Sequence, residues 1–361
     1  MNRQQAARSL VKLLAHLPRR QANTLAHLVL AVMHLSRFSL PELGRHLSGV
    51  TIKSGTKRAG RFIANHRVEP ILAMQGVIAH IVRRHRKKPL ILTLDWTQVR
   101  NFHVLMLAAA MRGRAVPLLW AVYHPKDLHR SQNNLEEGLL RALRTMVPQS
   151  VRVILLADRG FGRTELARTC QQLGFHYVIR IAAGVWVRHG EFQGRLSQYP
   201  ATVGTKQLLK GVQYRKTRSL VQNVVVYWKK GEKAPWFLMT DLDRSAEQLC
   251  QLYGKRMQIE ELFRDHKNRR NGFALRHTRI RSAENFSRAL LIVALGYLLL
   301  MGIGLHAKQY YAPSSWGSTS RADDCSLFTI GLRMLDRLQI QVVTMLRAVC
   351  RAILEEAEKW G

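Results

Sequence analysis

Two short apolar runs, each closed by an aspartate, constrain this chain more than any other feature of it. PLILTLD spans Pro89 to Asp95, and VRVILLAD spans Val151 to Asp158. Each reads as a buried strand ending in an acid. If the strands are neighbours, both carboxylates project at one end of the sheet. Two acids so placed repel, and a hard divalent cation, which prefers carboxylates and keeps positions open for water and phosphate, is the usual resolution. Either aspartate alone could simply cap the turn after its strand; the pair makes that reading weaker.

The segments around these runs follow an α/β order. Val104–Met111 and Ala115–Tyr123 are apolar runs joined by Arg112-Gly113-Arg114, a hairpin signal. Leu135–Val147 and Arg163–Leu173 have helical patterns, and Phe175–Ile181 reads as a strand. The order of strand, hairpin, helix, strand, helix, strand and a late helix matches a ribonuclease H-like core, whose ligands sit at strand ends. That core is expected over residues 86–183 and 241–305. Between its halves, residues 184–240 are rich in β patterns and turn glycines and read as an inserted β-subdomain. The late helix is expected as one element from Ser245 to Asn268.

Helical regions flank the core. Residues 1–85 are basic; Ser39–Leu47, with Ser39 as N-cap and Pro41 in the first turn, and Lys53–Asn65 resemble a helix-turn-helix. Its second helix carries Lys53, Lys57, Arg58 and Arg61, although Gly55 and Gly60 lower its helix propensity. An ordinary helical bundle with a solvated basic face is the alternative. Ala289–Leu305 is a 17-residue run without charge, at the lower edge for a membrane span. Its glycines, Gly296, Gly302 and Gly304, favour a tightly packed interior helix, so no membrane is expected. Residues 306–361 read as helical, with Arg321–Asp324 as a loop and Leu327–Lys359 periodic; they are a candidate dimerisation region.

Charge points to the partner. Lys and Arg total 57 against 23 Asp and Glu, a formal +34. Such an excess attracts polyanions, and nucleic acid is the expected one. The four cysteines are widely spaced, which suggests neither a zinc site nor a disulfide framework and fits a reducing cytoplasm. In a chain so poor in acids, each buried-looking carboxylate requires an explanation.

The third acid comes from the late helix. At about 100° per residue, Tyr253, Arg256, Glu260 and Lys267 share one face of a continuous helix, joined by Arg264, whereas Glu261 points away. A solvated charged face is the plainer alternative. The stretch YGKRMQIEELFRDHK fits the Y-x2-R-x3-E-x6-K signature of DDE transposases of the insertion sequence 4 family, and LTLDWTQ and LADRGFGR resemble that family's two aspartate motifs. PWFLMTD resembles the strand that carries its base-holding tryptophan, here Trp236.

The resemblance covers roughly residues 89–305. It implies two Mg²⁺ ions, for which Mn²⁺ can substitute, held by Asp95, Asp158 and Glu260, with no small-molecule cofactor. It also implies Tyr253, Arg256 and Lys267 on phosphates, Trp236 on a flipped base, and transposon-end and target DNA as partners. A homodimer in the DNA complex and a cytoplasmic, nucleoid-associated bacterial protein are expected. A ribonuclease H-like nuclease without strand transfer and a non-catalytic DNA-binding regulator are the alternatives. Trp96 is expected to pack on the opposite side of its strand from Asp95. His124 and His129 could approach the site, but a structural role is the plainer expectation.

Overall fold

The computed structural model describes residues 3–35, 37–85, 87–128, 132–268, 272–318, 324–338 and 341–360. Five helices open the chain: α1 (Arg3–Leu13), α2 (Arg19–Val32), α3 (Leu40–His46), α4 (Ile52–Ala64) and α5 (Pro70–Val82). The Ser39 hydroxyl accepts from the Glu42 amide at the start of α3, with Pro41 in the first turn; Thr51 caps α4 in the same way. A Cβ on Gly55 would lie 2.6 Å from the Gly44 carbonyl oxygen, and one on Gly44 would lie 2.5 Å from the Thr56 amide. The glycine that lowers the propensity of α4 is therefore what lets α3 and α4 touch.

Both aspartate-closed runs form strands, and those strands are neighbours. β1 (Leu90–Val99), β2 (Phe102–Met111) and β3 (Arg114–Tyr123) form an antiparallel meander. Helix α6 (Gln132–Met146) leads into β4 (Val153–Ala157), and α7 (Thr164–Gln172) leads into β5 (Phe175–Ile181). β4 is parallel to both β1 and β5, with Leu94 opposite Ala157 and Ala157 opposite Ile179.

Residues 184–240 do not form a sheet of their own. They supply β6 (Trp186–His189), β7 (Phe192–Arg195), β8 (Lys206–Tyr214), β9 (Leu220–Tyr227) and β10 (Trp236–Thr240). β10 returns to pair with β5 on one side and β9 on the other, so all ten strands make one sheet in the order β3-β2-β1-β4-β5-β10-β9-β8-β6-β7.

The expected single helix over 245–268 is two: α8 (Ala246–Gly254), capped by Ser245 and Gln248, and α9 (Met257–Lys267). Gly254 ends the first, and Lys255–Arg256 form the turn between them. The turn keeps helical backbone angles at Lys255 and Arg256, and Arg256 still pairs with Glu260 four residues on.

α10 (Ala283–Tyr310) is long and apolar enough to cross a membrane, yet 89% of its apolar window is buried inside the protein. It packs on α2, on β3 and on α11 (Leu327–Met334) and α12 (Val342–Ala357). The C-terminal periodicity thus resolves into two helices; of the loop expected at Arg321–Asp324, only Asp324 lies within the described residues. The helix glycines are where neighbours approach. A Cβ on Gly304 would sit 2.0 Å from the Leu327 carbonyl oxygen, on Gly302 2.6 Å from Met345, and on Gly296 2.4 Å from Val32. Gly304→Ala should therefore force α10 and α11 apart and cost about 1–3 kcal/mol, as overpacking does. Gly138→Ala in α6, where a Cβ meets nothing within 4 Å, should leave the melting temperature unchanged or raise it. Thermal melts of both variants check the assignment, and equal losses would refute it.

Candidate active site

Asp95 and Asp158 stand one step beyond Leu94 and Ala157, the last residues that pair β1 with β4. Because those strands are parallel and adjacent, the two carboxylates are brought to neighbouring strand positions. Asp95 also accepts from the Trp96 amide at 2.8 Å. Asp158 accepts from the Gly160 amide at 2.8 Å, so it caps the following turn as well as facing the cluster.

Helix α9 brings the third acid. Arg256, in the turn that precedes it, reaches Asp95 Oδ2 from Nη1 at 3.3 Å and Glu260 Oε1 from Nη2. One guanidinium therefore ties the strand acid to the helix acid. Burial is the main reason that the Asp95 carboxyl is pushed up to about 7; Arg256 opposes the shift, while the charges of Asp158 and Glu260 add to it. The structure brings the three acids into one electrostatic cluster, with a cation already lodged against two of them.

Around it stand the other residues singled out in the sequence. Lys267 donates from Nζ to the Thr97 hydroxyl on β1, and burial and the nearby Arg276 lower its pKa. Tyr253 is buried at the end of α8, and burial pushes its hydroxyl up to about 12 despite Arg256 and Arg180. Its ring meets that of Trp236 edge-on, with centroids 6.4 Å apart. Arg264 is exposed and pairs with Glu261 at 2.9 Å. Glu261 also pairs with Arg114 at 3.4 Å, on the side of α9 away from Asp95.

Lys53, Lys57, Arg58 and Arg61 are not brought to this cluster. They lie on α4 in the N-terminal bundle, where Lys53, Lys57 and Arg61 form an exposed face. Trp96 points to the other side of β1, where its indole donates to Glu136 at 2.7 Å. His124 packs its ring on Phe102 at 4.9 Å, and His129 lies outside the described residues.

Two participants went unnoticed in the sequence. Arg180 lays its guanidinium 4.1 Å from the centroid of the Trp236 ring, the same indole that Tyr253 meets edge-on. A lone arginine within the apolar run FHYVIRI was the available signal. Glu136, 4% exposed, receives Trp96 on one oxygen and Arg163 on the other and fixes the far side of β1. It lies in a helix with ordinary amphipathic spacing, which gives no hint of burial.

Three carboxylates with no thiol or imidazole among them suit a hard, oxygen-seeking divalent ion. Among the described residues no three potential ligands are already gathered at ligating distance. Arg256 supplies the cation that holds Asp95 and Glu260 together.

A family model for the transposase DDE domain matches residues 82–299, a span that starts just before β1 and ends within α10. No curated protein matches the chain. The protein belongs to the transposase DDE domain family, a family of DNA-acting enzymes that generally use divalent metal ions.

The raised carboxyl has a consequence for stability. An unfolded aspartate loses its proton near pH 3.9, whereas Asp95 in the folded protein holds its proton up to about pH 7. The folded state thus binds the extra proton in that window. The stability this confers is complete below about pH 4 and is lost as pH rises through about 7. In EDTA, Asp95→Asn should raise the melting temperature at pH 8, and this gain should shrink steadily on going to pH 5. A gain that is the same at both pH values would refute the raised carboxyl.

Proposed function

We propose that this protein is a cut-and-paste transposase of the insertion sequence 4 type, which cleaves DNA at the ends of a mobile element and joins them to a target. The observation that carries the reading is the convergence of Asp95, Asp158 and Glu260, from two parallel strands and one helix, inside a matched transposase DDE domain. The spacing of Tyr253, Arg256, Glu260 and Lys267 fits the family signature.

Asp95, Asp158 and Glu260 would hold two Mg²⁺ or Mn²⁺ ions, whose charge assists in-line displacement at phosphorus. The remaining roles fall to the chain itself. An oxygen nucleophile, from water in cleavage and from the freed 3′-hydroxyl in joining, attacks phosphorus, and the opposite P–O bond breaks. Lys267, beside Asp95 on β1, neutralises the phosphate under attack. Arg256 exchanges its carboxylate partners for phosphate oxygens as DNA enters, which suits a planar donor that can serve either anion. Tyr253 positions the backbone beside Trp236. The basic face of α4, with Lys53, Lys57, Arg58 and Arg61, reads the element's ends. Two protomers act together in one DNA complex, with the C-terminal region contributing to their contact, in a cytoplasmic protein working on nucleoid DNA.

Asp95→Asn, Asp158→Asn and Glu260→Gln should each abolish cleavage of an end-containing duplex while leaving its binding within about twofold of the parent. Glu261→Gln, whose carboxylate serves Arg114 and Arg264, should cut at a rate within several-fold of the parent. Equal loss at 260 and 261, or cleavage that survives EDTA, would sink the assignment.

Trp236 tests a later step. If its face holds a base turned out of the duplex, Trp236→Ala should lose roughly 1–3 kcal/mol of stacking. Nicking should then proceed at the parental rate while double-strand release slows by about fivefold or more. A gel assay that resolves nicked from released ends measures both. Normal release would reduce Trp236 to a packing residue.

A further inference from the structure

A cleft of about 690 Å³, away from the carboxylate cluster, lies between the β2–β3 hairpin, the end of α10 and α12, and it includes Arg112, Lys308, Arg347 and Arg351. All four are exposed, and among the described residues no carboxylate pairs with any of them. With 57 cations against 23 acids, many cations of this chain lack a carboxylate; what sets these four apart is that the fold gathers them in one concavity. Glu355 is the single acid of the lining.

The four cations come from three segments more than 190 residues apart in sequence between the hairpin and Lys308, so their gathering is a product of the fold rather than of a charged tail. On α12, Arg347 and Arg351 are four residues apart and share one face. Like charges so close repel, and among the described residues of the lining Glu355 alone offsets four cations. An external polyanion neutralises the rest. The face also argues against self-association through these residues, since a second copy would meet its own charge.

Position selects the ligand. β2 runs antiparallel to β1 with Asp95 opposite Met106, which places the Arg112–Arg114 turn beyond the Leu90 end of β1, six residues along β2 from the aspartate's partner. At about 3.3 Å per residue the separation is roughly 20 Å, or about six base pairs of duplex. A phosphate held in the cleft is therefore not the one being cut.

We propose that this cleft is a second, sequence-independent binding surface for the backbone of duplex DNA, distinct from the cutting site and from the basic face of α4. The proposal rests on the reading that the protein acts on DNA. Its source is either the distal part of the duplex being cut or a separate duplex; the phosphate chemistry is shared.

The test is binding, measured in EDTA so that it does not depend on cutting. The full-length protein and Arg347→Gln/Arg351→Gln are titrated with a 40-base-pair duplex lacking element ends, over a range of salt. A charge-matched control, Arg188→Gln/Arg195→Gln, removes two exposed arginines from the β6–β7 hairpin. Each lost phosphate contact lowers the magnitude of the log–log salt slope by about 0.9. The α12 variant should therefore lose close to 2 from the slope and bind at least tenfold more weakly at 0.1 M salt, with the control near the parent. An unchanged slope, or an equal loss in the control, overturns the proposal. Repeating the titration with end-containing duplexes of about 10 and 40 base pairs separates the sources. A defect confined to the longer end duplex places the distal part of the cut duplex in the cleft; a defect that persists when the end site is saturated by the short duplex places a separate duplex there. Loss of the slope difference with cleavage intact defeats this inference alone, whereas loss of triad-dependent cleavage defeats the proposed function and leaves this result standing.

Discussion

Burial of α10 is the constraint on which the rest of the structure depends. Nearly the whole of this helix is withdrawn from water, and α2, β3, α11 and α12 all lie against it. The hydrophobic gain from such a helix is realised only if its neighbours come close, and the glycines at 296, 302 and 304 permit that. The helix also bears on the chemistry. The Tyr297 hydroxyl donates to Asp265 Oδ2 at 3.1 Å, and Asp265 is held by Arg114 at 2.8 Å. Asp265 is on α9, so the buried helix and the β2–β3 hairpin together fix the helix that carries Glu260. The apolar core thus positions a carboxylate that it does not touch.

Electrostatics supplies the second organising term. In a chain with such an excess of positive charge, three acids gathered at one place concentrate a strong local negative potential. Arg256, in the turn between α8 and α9, meets two of them. Arg256 and Glu260 are four residues apart and pair across one helical turn, and the same guanidinium also reaches Asp95 on β1.

Much of this was legible beforehand, for identifiable reasons. Strands buried on both faces leave an unmistakable apolar run, and an acid closing such a run has few explanations; β1, β4 and their aspartates were read on that basis. The caps of α3 were read because Ser39 and Pro41 act through local chemistry. The chargeless run at 289–305 was read as interior because of its glycines. What escaped depends on long-range partners. The interruption after Gly254 competes with good helix formers on both sides, and the glycine by itself was too weak a signal to mark it. The joining of residues 184–240 to the core sheet is settled by β10 returning between β5 and β9, a pairing that no sequence window contains. Arg180 and Glu136 acquire their roles from Trp236 and Arg163, which lie 56 and 27 residues away.

The same placement of β10 has a consequence for how the molecule is made. β5 ends at Ile181 and its partner begins at Trp236, some 55 residues later. At a synthesis rate of about 5–20 residues per second, a nascent chain carries β5 with one edge unsatisfied for roughly 3–11 s. That edge is apolar and, until β10 arrives, open to pairing with another chain. The sheet closes late, and it closes with the strand whose first residue is Trp236. A ribosome-bound intermediate halted before that residue would carry both aspartates on formed strands, yet neither the glutamate nor an edge safe from aggregation. The enzyme is thereby kept incomplete until nearly three-quarters of it has been translated, a delay written into strand order rather than into any separate inhibitory segment.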